Sequence, residues 1–406
     1  MTLRPSLYLV GDSISIDYHP VLESLLAETY AYRRKGGLAA ARKNLDDVQG
    51  ANGGDSATVL AHLREHLQSG LPESTVAVNC GLHDIKRNPK TGAIQIPPDS
   101  YRANLQEIIT LLHRAGKRMI WIRTTPVDEA RHLRCNNAFH RREADLADYN
   151  RIADDVMNAA DVPRIDLHTF TAALPGELYR DHVHFLPDVP RAQAAFLRRE
   201  FDRILRPDAA PLHTFLGDSI TDASRDRKNP AALGEGYVHL LAQQRPGEHF
   251  RNLGVSGNRL SDLTDRLHEV PLESRTLTLY GGINDVVHLF KRNRPQSLEE
   301  FEADATDLIH HARRLGIPLR VITPFVCAAK PVARSQDWWP LPEGRYPDWC
   351  QALLPRLLIL RTLCFTHHIP CLELYPHLGP LTDISEDGVH PNINGHQRIA
   401  DLWQTL

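Results

Sequence analysis

A short apolar run that opens directly onto Gly-Asp-Ser occurs twice in this 406-residue chain. Leu7-Tyr8-Leu9-Val10 leads into Gly11-Asp12-Ser13, and His213-Thr214-Phe215-Leu216 leads into Gly217-Asp218-Ser219, 206 positions later (217 − 11). An offset of about half the length means that one serine-bearing strand-to-turn unit is presented twice. A hydroxyl at the C-terminal end of a strand sits where open α/β sheets place reactive groups. A helix beginning just after each serine would aim free amides and a positive dipole end at the same point. A polar turn capping a helix accounts for one such copy, but the second copy and the matching residues downstream count against it.

Each half carries the same alternation of elements. In the first, strand-like runs fall at Thr75–Asn79, Met119–Ile122 and Ile165–Leu167, with a helical pattern over Tyr101–Arg114. In the second, Phe250–Leu253, Leu277–Tyr280, Leu319–Thr323 and Cys371–Leu374 take the strand role, and Ser297 with Glu300 forms a capping box for a helix running toward Arg314. Strands alternating with helices predict parallel sheets. The expected fold is therefore α/β, as two tandem three-layer α/β/α (flavodoxin-like) domains, each with a mostly parallel central sheet. Two prolines flank Arg206-Pro207-Asp208-Ala209-Ala210-Pro211, a segment that cannot continue a helix. The expected boundaries are a first domain at 1–206, a linker at 207–211 and a second domain at 212–406.

Composition fits that size and excludes some classes. Lys plus Arg number 47 against 50 Asp plus Glu, so no net field points to nucleic acid or an anionic membrane surface. No uninterrupted apolar stretch approaches a membrane span. The first apolar segment is too short for a signal peptide, and cleavage after it would remove Gly11-Asp12-Ser13. Cysteines at 80, 135, 327, 350, 364 and 371 lack the paired short spacings of a zinc site, which predicts reduced thiols in a cytoplasmic protein.

Hydrolysis at a serine needs a base beside the hydroxyl, an acid orienting that base, and donors for the oxyanion. In the second half Ser219 is followed by Gly257 in Val255-Ser256-Gly257-Asn258, Asn284 in Gly282-Ile283-Asn284-Asp285, and Asp387-Gly388-Val389-His390. This ordered set resembles the SGNH hydrolases, the Gly-Asp-Ser-Leu esterase and lipase superfamily. The resemblance implies Ser219 as nucleophile, Gly257 and Asn284 as oxyanion donors beside the serine's own amide, His390 as base and Asp387 as its orienter. An acid and a base three residues apart share one tight turn, so one loop docks both.

The first half repeats the order with changes. Ser13 is followed by Gly54 in Asn52-Gly53-Gly54-Asp55, then by Gly81-Leu82-His83-Asp84, then by Asp181-His182-Val183-His184. The last pair again lies 206 positions before its counterpart (387 − 181, 390 − 184). By the same resemblance Ser13, His184 and Asp181 form a second triad and Gly54 an oxyanion donor. His83 stands where the second half has Asn284. Imidazole donates one hydrogen bond, so His83 is either a variant donor or the mark of a domain turned to binding. His182 and His184 alone do not complete a zinc site, which leaves His182 a surface or supporting place.

Substrate choice is expected in the segments after Thr125-Pro126 and Thr323-Pro324. The second carries Trp338, Trp339 and Trp349, flat faces suited to sugar rings or to packing of a long loop. The first carries Arg131, His132, Arg134, His140, Arg141 and Arg142, expected as solvated surface. The reading is a serine esterase removing short acyl groups, carbohydrate O-acetyl groups among them, from a small-molecule or oligosaccharide ester, with no cofactor or metal. Alternatives are a thioesterase or lysophospholipase of the same fold, or a protein whose first domain only binds. The oligomeric state is left open.

Overall fold

The computed structural model describes residues 4–45, 47–135, 138–291, 296–325, 346–375, 377–378, 383 and 389–406. The chain divides into two compact units, Met1–Pro207 with Arg314–Gly316, and Asp208–Arg313 with Ile317–Leu406.

The first unit is built on β1 (Ser6–Val10), β2 (Ala31–Arg34), β3 (Thr75–Val78), β4 (Arg118–Ile122) and β5 (Arg164–Ile165). All pairs are parallel, and the order across the sheet is β2-β1-β3-β4-β5. The second unit repeats this with β6 (Leu212–Gly217), β7 (His249–Asn252), β8 (Thr276–Tyr280), β9 (Leu319–Thr323) and β10 (Cys371–Glu373), ordered β7-β6-β8-β9-β10 and again all parallel. Two five-stranded parallel sheets flanked by helices give two α/β/α domains. In each, strand order reverses beside the strand that leads into Gly-Asp-Ser, so each serine emerges at the crevice where such sheets bind ligands.

The central strands β3 and β8 are buried along their whole length, as strands covered by helices on both faces must be. Helices supply the cover by their spacing. Tyr101, Leu105, Ile108 and Leu112 line the buried side of Pro98–Arg114, and Phe301, Ala305, Leu308 and Ala312 do the same for Leu298–Arg314. The second of these begins as its sequence predicts, since Glu300 N–H donates to Ser297 Oγ (3.1 Å) and Ser297 N–H to Glu300 Oε2 (2.8 Å).

Two elements differ from expectation. The strand β2 is Ala-Tyr-Arg-Arg, with no apolar alternation, because it is a sheet edge whose arginines find tertiary partners. Arg33 pairs with Glu73, and buried Arg34 donates to Ser15 O (2.7 Å) and Ala51 O (2.9 Å). The strand expected at Ile165–Leu167 ends at Ile165, because Asp166 accepts from Thr169 N–H (3.0 Å) and starts a helix at Leu167. Among the described residues no helix is long and apolar enough to cross a membrane, and Cys80, Cys135, Cys350, Cys364 and Cys371 are free thiols.

Candidate active site

Both serines sit at the first turn of a helix capped by the preceding aspartate. Asp12 Oδ1 accepts from Ile14 N–H and Asp218 Oδ1 from Ile220 N–H, each at 3.0 Å. The helix after Ser13 runs to Leu26, whereas that after Ser219 stops at Asp222, where Ala223 turns left-handed (φ 41°).

In the first unit the turn at 181–184 carries acid and base together. Asp181 Oδ1 accepts from the amides of Val183 (3.0 Å) and His184 (2.8 Å), which folds the carboxylate back beneath the ring. His184 Nδ1 lies 2.8 Å from Asp181 Oδ2, and His184 Nε2 lies 2.8 Å from Ser13 Oγ. Burial alone would raise the Asp181 carboxyl, but the His184 ring and the two amides outweigh it and hold it well below the usual carboxylate range. In the second unit His390 Nε2 lies 3.0 Å from Ser219 Oγ. Asp387, Trp338 and Trp339 lie outside the described residues.

The residues expected as oxyanion donors fall on the loop before the helix Ser56–Gln68 (Gly54), on turns (Gly257 and His83) and in the first turn of the helix Ile283–Lys291 (Asn284). Gly54 (φ 74°) and Gly257 (φ 89°) adopt the left-handed conformation that disfavours side chains. The Gly54 amide donates to Asn52 Oδ1 (3.0 Å). His83 and Asn284 follow β3 and β8, and Asn284 Nδ2 donates to Asn258 O (2.9 Å). The acid after each ties two turns together: Asp84 accepts from Ser56 N–H with both oxygens (2.9 and 3.1 Å), and Asp285 Oδ2 accepts from Leu260 N–H (3.3 Å).

Burial pushes these acids up: Asp84 and Asp218 to about 7, and Asp285 to about 6. Between the unfolded carboxyl value of roughly 4 and these values, the folded chain keeps protons that the unfolded chain has lost. Their contribution to stability therefore falls as pH rises through that window. Asp218→Asn preserves an oxygen for the Ile220 amide and removes the buried charge. Its melting temperature relative to the parent should rise between about pH 4 and pH 7, and a difference that does not change with pH would contradict this.

Burial also corrects several expectations. Arg141 and His132 are not solvated surface: Arg141 is 1% exposed and donates to Leu82 O (2.7 Å), while His132 Nε2 meets Phe139 O (2.9 Å). Of the two places expected for His182 it takes the supporting one, buried and edge-on to His132 with ring centroids 4.6 Å apart. Trp349 is 0% exposed and packs with Ile283, Val286 and Leu353, so it offers no face to a sugar.

Beside the first serine's loops opens a cleft of about 760 Å³ lined by Asn44, Asp47, Lys86, Asn88, Gln95 and Phe139, among others. Two of its lining residues neighbour site residues, since Lys86 N–H donates to His83 O (3.3 Å) and the Phe139 ring stands edge-on to His182 (6.4 Å). Sequence reading missed Asn52 and this cleft, whose residues come together only through tertiary packing.

A doubly wound sheet with a histidine-bound serine at its switch point defines a serine hydrolase of the esterase type. The chain belongs to the GDSL-like lipase/acylhydrolase family, whose family model matches residues 9–188 and again 215–398. No curated protein matches it. Among solved structures it is similar to an alpha/beta hydrolase enzyme from the metagenome of Lake Arreo, Spain (24% identity, TM-score 0.39, covering 48% of this chain and 95% of that one). It is also similar to an acetylxylan esterase from Geobacillus stearothermophilus (24%, 0.38, 49% and 95%). A putative GDSL-like lipase from Parabacteroides merdae is a third (23%, 0.39, 49% and 95%).

Proposed function

We propose that both units are esterases that remove short acyl groups from polar alcohols, carbohydrate O-acetyl groups among them. The reaction would run through Ser13–His184–Asp181 in the first unit and Ser219–His390–Asp387 in the second. The observation that carries this reading is the serine-to-imidazole contact in each unit, at 2.8 and 3.0 Å. Nε2 takes the hydroxyl proton as Oγ attacks the acyl carbonyl. The amide of the serine, the glycine at 257 (and that at 54 once its amide is released from Asn52), and the side chain at 83 or 284 receive the charge that develops on the carbonyl oxygen. The same imidazole returns the proton to the departing alcohol, and water then releases the acyl group by the reverse sequence.

The engagement of the Gly54 amide by Asn52, together with His83, favours a second reading in which the first unit only binds. Fluorophosphonate labelling separates the two, since only an activated serine reacts rapidly. Two labels per chain are expected, one lost with Ser13→Ala and the other with Ser219→Ala. A single label, confined to Ser219, would leave the first unit a binding module. Rates on p-nitrophenyl esters that rise with acyl length would overturn the short-acyl assignment.

A further inference from the structure

We propose that Asn52 is a positioning residue that holds His83 as the neutral tautomer with its proton on Nδ1. The role this gives His83 rests on the reading of the first unit as a hydrolase. Asn52 is fully buried, and two backbone groups of opposite type fix its amide. Oδ1 accepts from Gly54 N–H (3.0 Å), and Nδ2 donates to Leu45 O (3.0 Å). Turning the amide over would set donor against donor at Gly54 and acceptor against acceptor at Leu45.

With that orientation fixed, Nδ2 lies 3.5 Å from His83 Nε2. An amide nitrogen has no lone pair to offer, so His83 Nε2 must be the acceptor. A proton there would oppose N–H to N–H around a ring that is only 1% exposed. The remaining proton of the neutral ring is then on Nδ1. Counted along the side chain, Nδ1 is two bonds from Cβ, as is Nδ2 of Asn284 in the second unit. The Nδ1–H tautomer is thus the form of histidine that places an N–H at the reach of the asparagine donor it replaces. Asn52 also holds the Gly54 amide, which in this geometry donates to Asn52 and not toward the oxyanion, so the donor that Asn52 sets is His83.

The test uses the full chain carrying Ser219→Ala, which leaves only the first site. Nitrogen-15 spectra of the imidazoles, with the His83 signals identified by their loss in His83→Asn, should show a protonated Nδ1 and a bare Nε2. Asn52→Asp keeps an acceptor for Gly54 but puts an acceptor opposite Nε2. It should move the proton to Nε2 and lower kcat about 10²-fold, the usual cost of an oxyanion donor, with KM little changed. With His83→Asn in place, the same Asn52→Asp change should cost only a few-fold. A protonated Nε2 in the parent, or an equal loss with asparagine at 83, overturns the inference. Should Asn52→Asp not fold, the parent spectrum decides alone. The expected tautomer in a chain that hydrolyses no ester would overturn the hydrolase reading of the first unit and leave the assignment of His83 standing.

Discussion

Ser13→Ala combined with Ser219→Ala is expected to lower ester hydrolysis by about 10⁴-fold to 10⁶-fold, the range seen when a triad nucleophile is lost. On the proposed mechanism each serine would accept the acyl group in its own unit, and the two follow strands of separate sheets, so neither would substitute for the other's chemistry. The single variants therefore divide the activity. If both sites turn over p-nitrophenyl acetate, each change removes its own share, and the parent rate is close to the sum of the two. If Ser219→Ala removes nearly all of it, the first unit acts on a narrower substrate or only binds. Turnover by the double variant equal to that of the parent would exclude the serine mechanism altogether.

Asp181→Asn is expected to cost the first site about 10⁴-fold in kcat, measured in the Ser219→Ala chain. The amide oxygen can still accept from Val183 and His184, so the turn should survive. Its NH₂, however, takes the place of the oxygen 2.8 Å from His184 Nδ1. That nitrogen must then accept, the ring proton moves to Nε2, and Nε2 can no longer take the proton of Ser13. Asp181 also contributes to stability. Its folded carboxyl lies below the ordinary value, so the contribution is complete above about pH 4 and is lost as pH falls toward the folded value. A variant with near-parent kcat would show that His184 is oriented by something other than this carboxylate.

What could be read from the sequence was whatever is local. Ser13 with its capping aspartate, Asp181 with His184, and Ser297 with Glu300 are contacts between residues at most three apart, so spacing alone displays them. The helix faces of Tyr101–Arg114 and Leu298–Arg314 follow from periodicity for the same reason. The strand β2 is invisible in sequence because Arg33 is charge-paired with Glu73 and Arg34 is hydrogen-bonded by the carbonyls of Ser15 and Ala51, up to forty positions away. Arg141 and His132 look like surface in a basic, polar segment, and only their tertiary carbonyl partners keep them inside. Trp349 resembled a sugar platform because aromatic residues look the same in sequence whether they face a ligand or a core. Asn52 carried no signal beyond its place two residues before Gly54.

The path between β2 and the helix Ser56–Gln68 has a further consequence. In the first unit the chain leaves at Gly37 and returns at Gly50, and the two meet so closely that a Cβ on Gly50 would lie 2.2 Å from Gly37 O. Ala41 N–H and Ala51 N–H both donate to that same carbonyl, which cinches the neck. A loop closed at its own base transmits little of its length to the sheet, and lengthening such a loop costs only logarithmically in closure entropy. Asn44 and Asp47, which line the cleft, are carried on this closed segment. Insertions or exchanges between the two glycines would therefore reshape the cleft that Asn44 and Asp47 line while the sheet and the turn carrying Asp181 and His184 stay put. In that sense selectivity here is modular: it can drift without the fold having to follow.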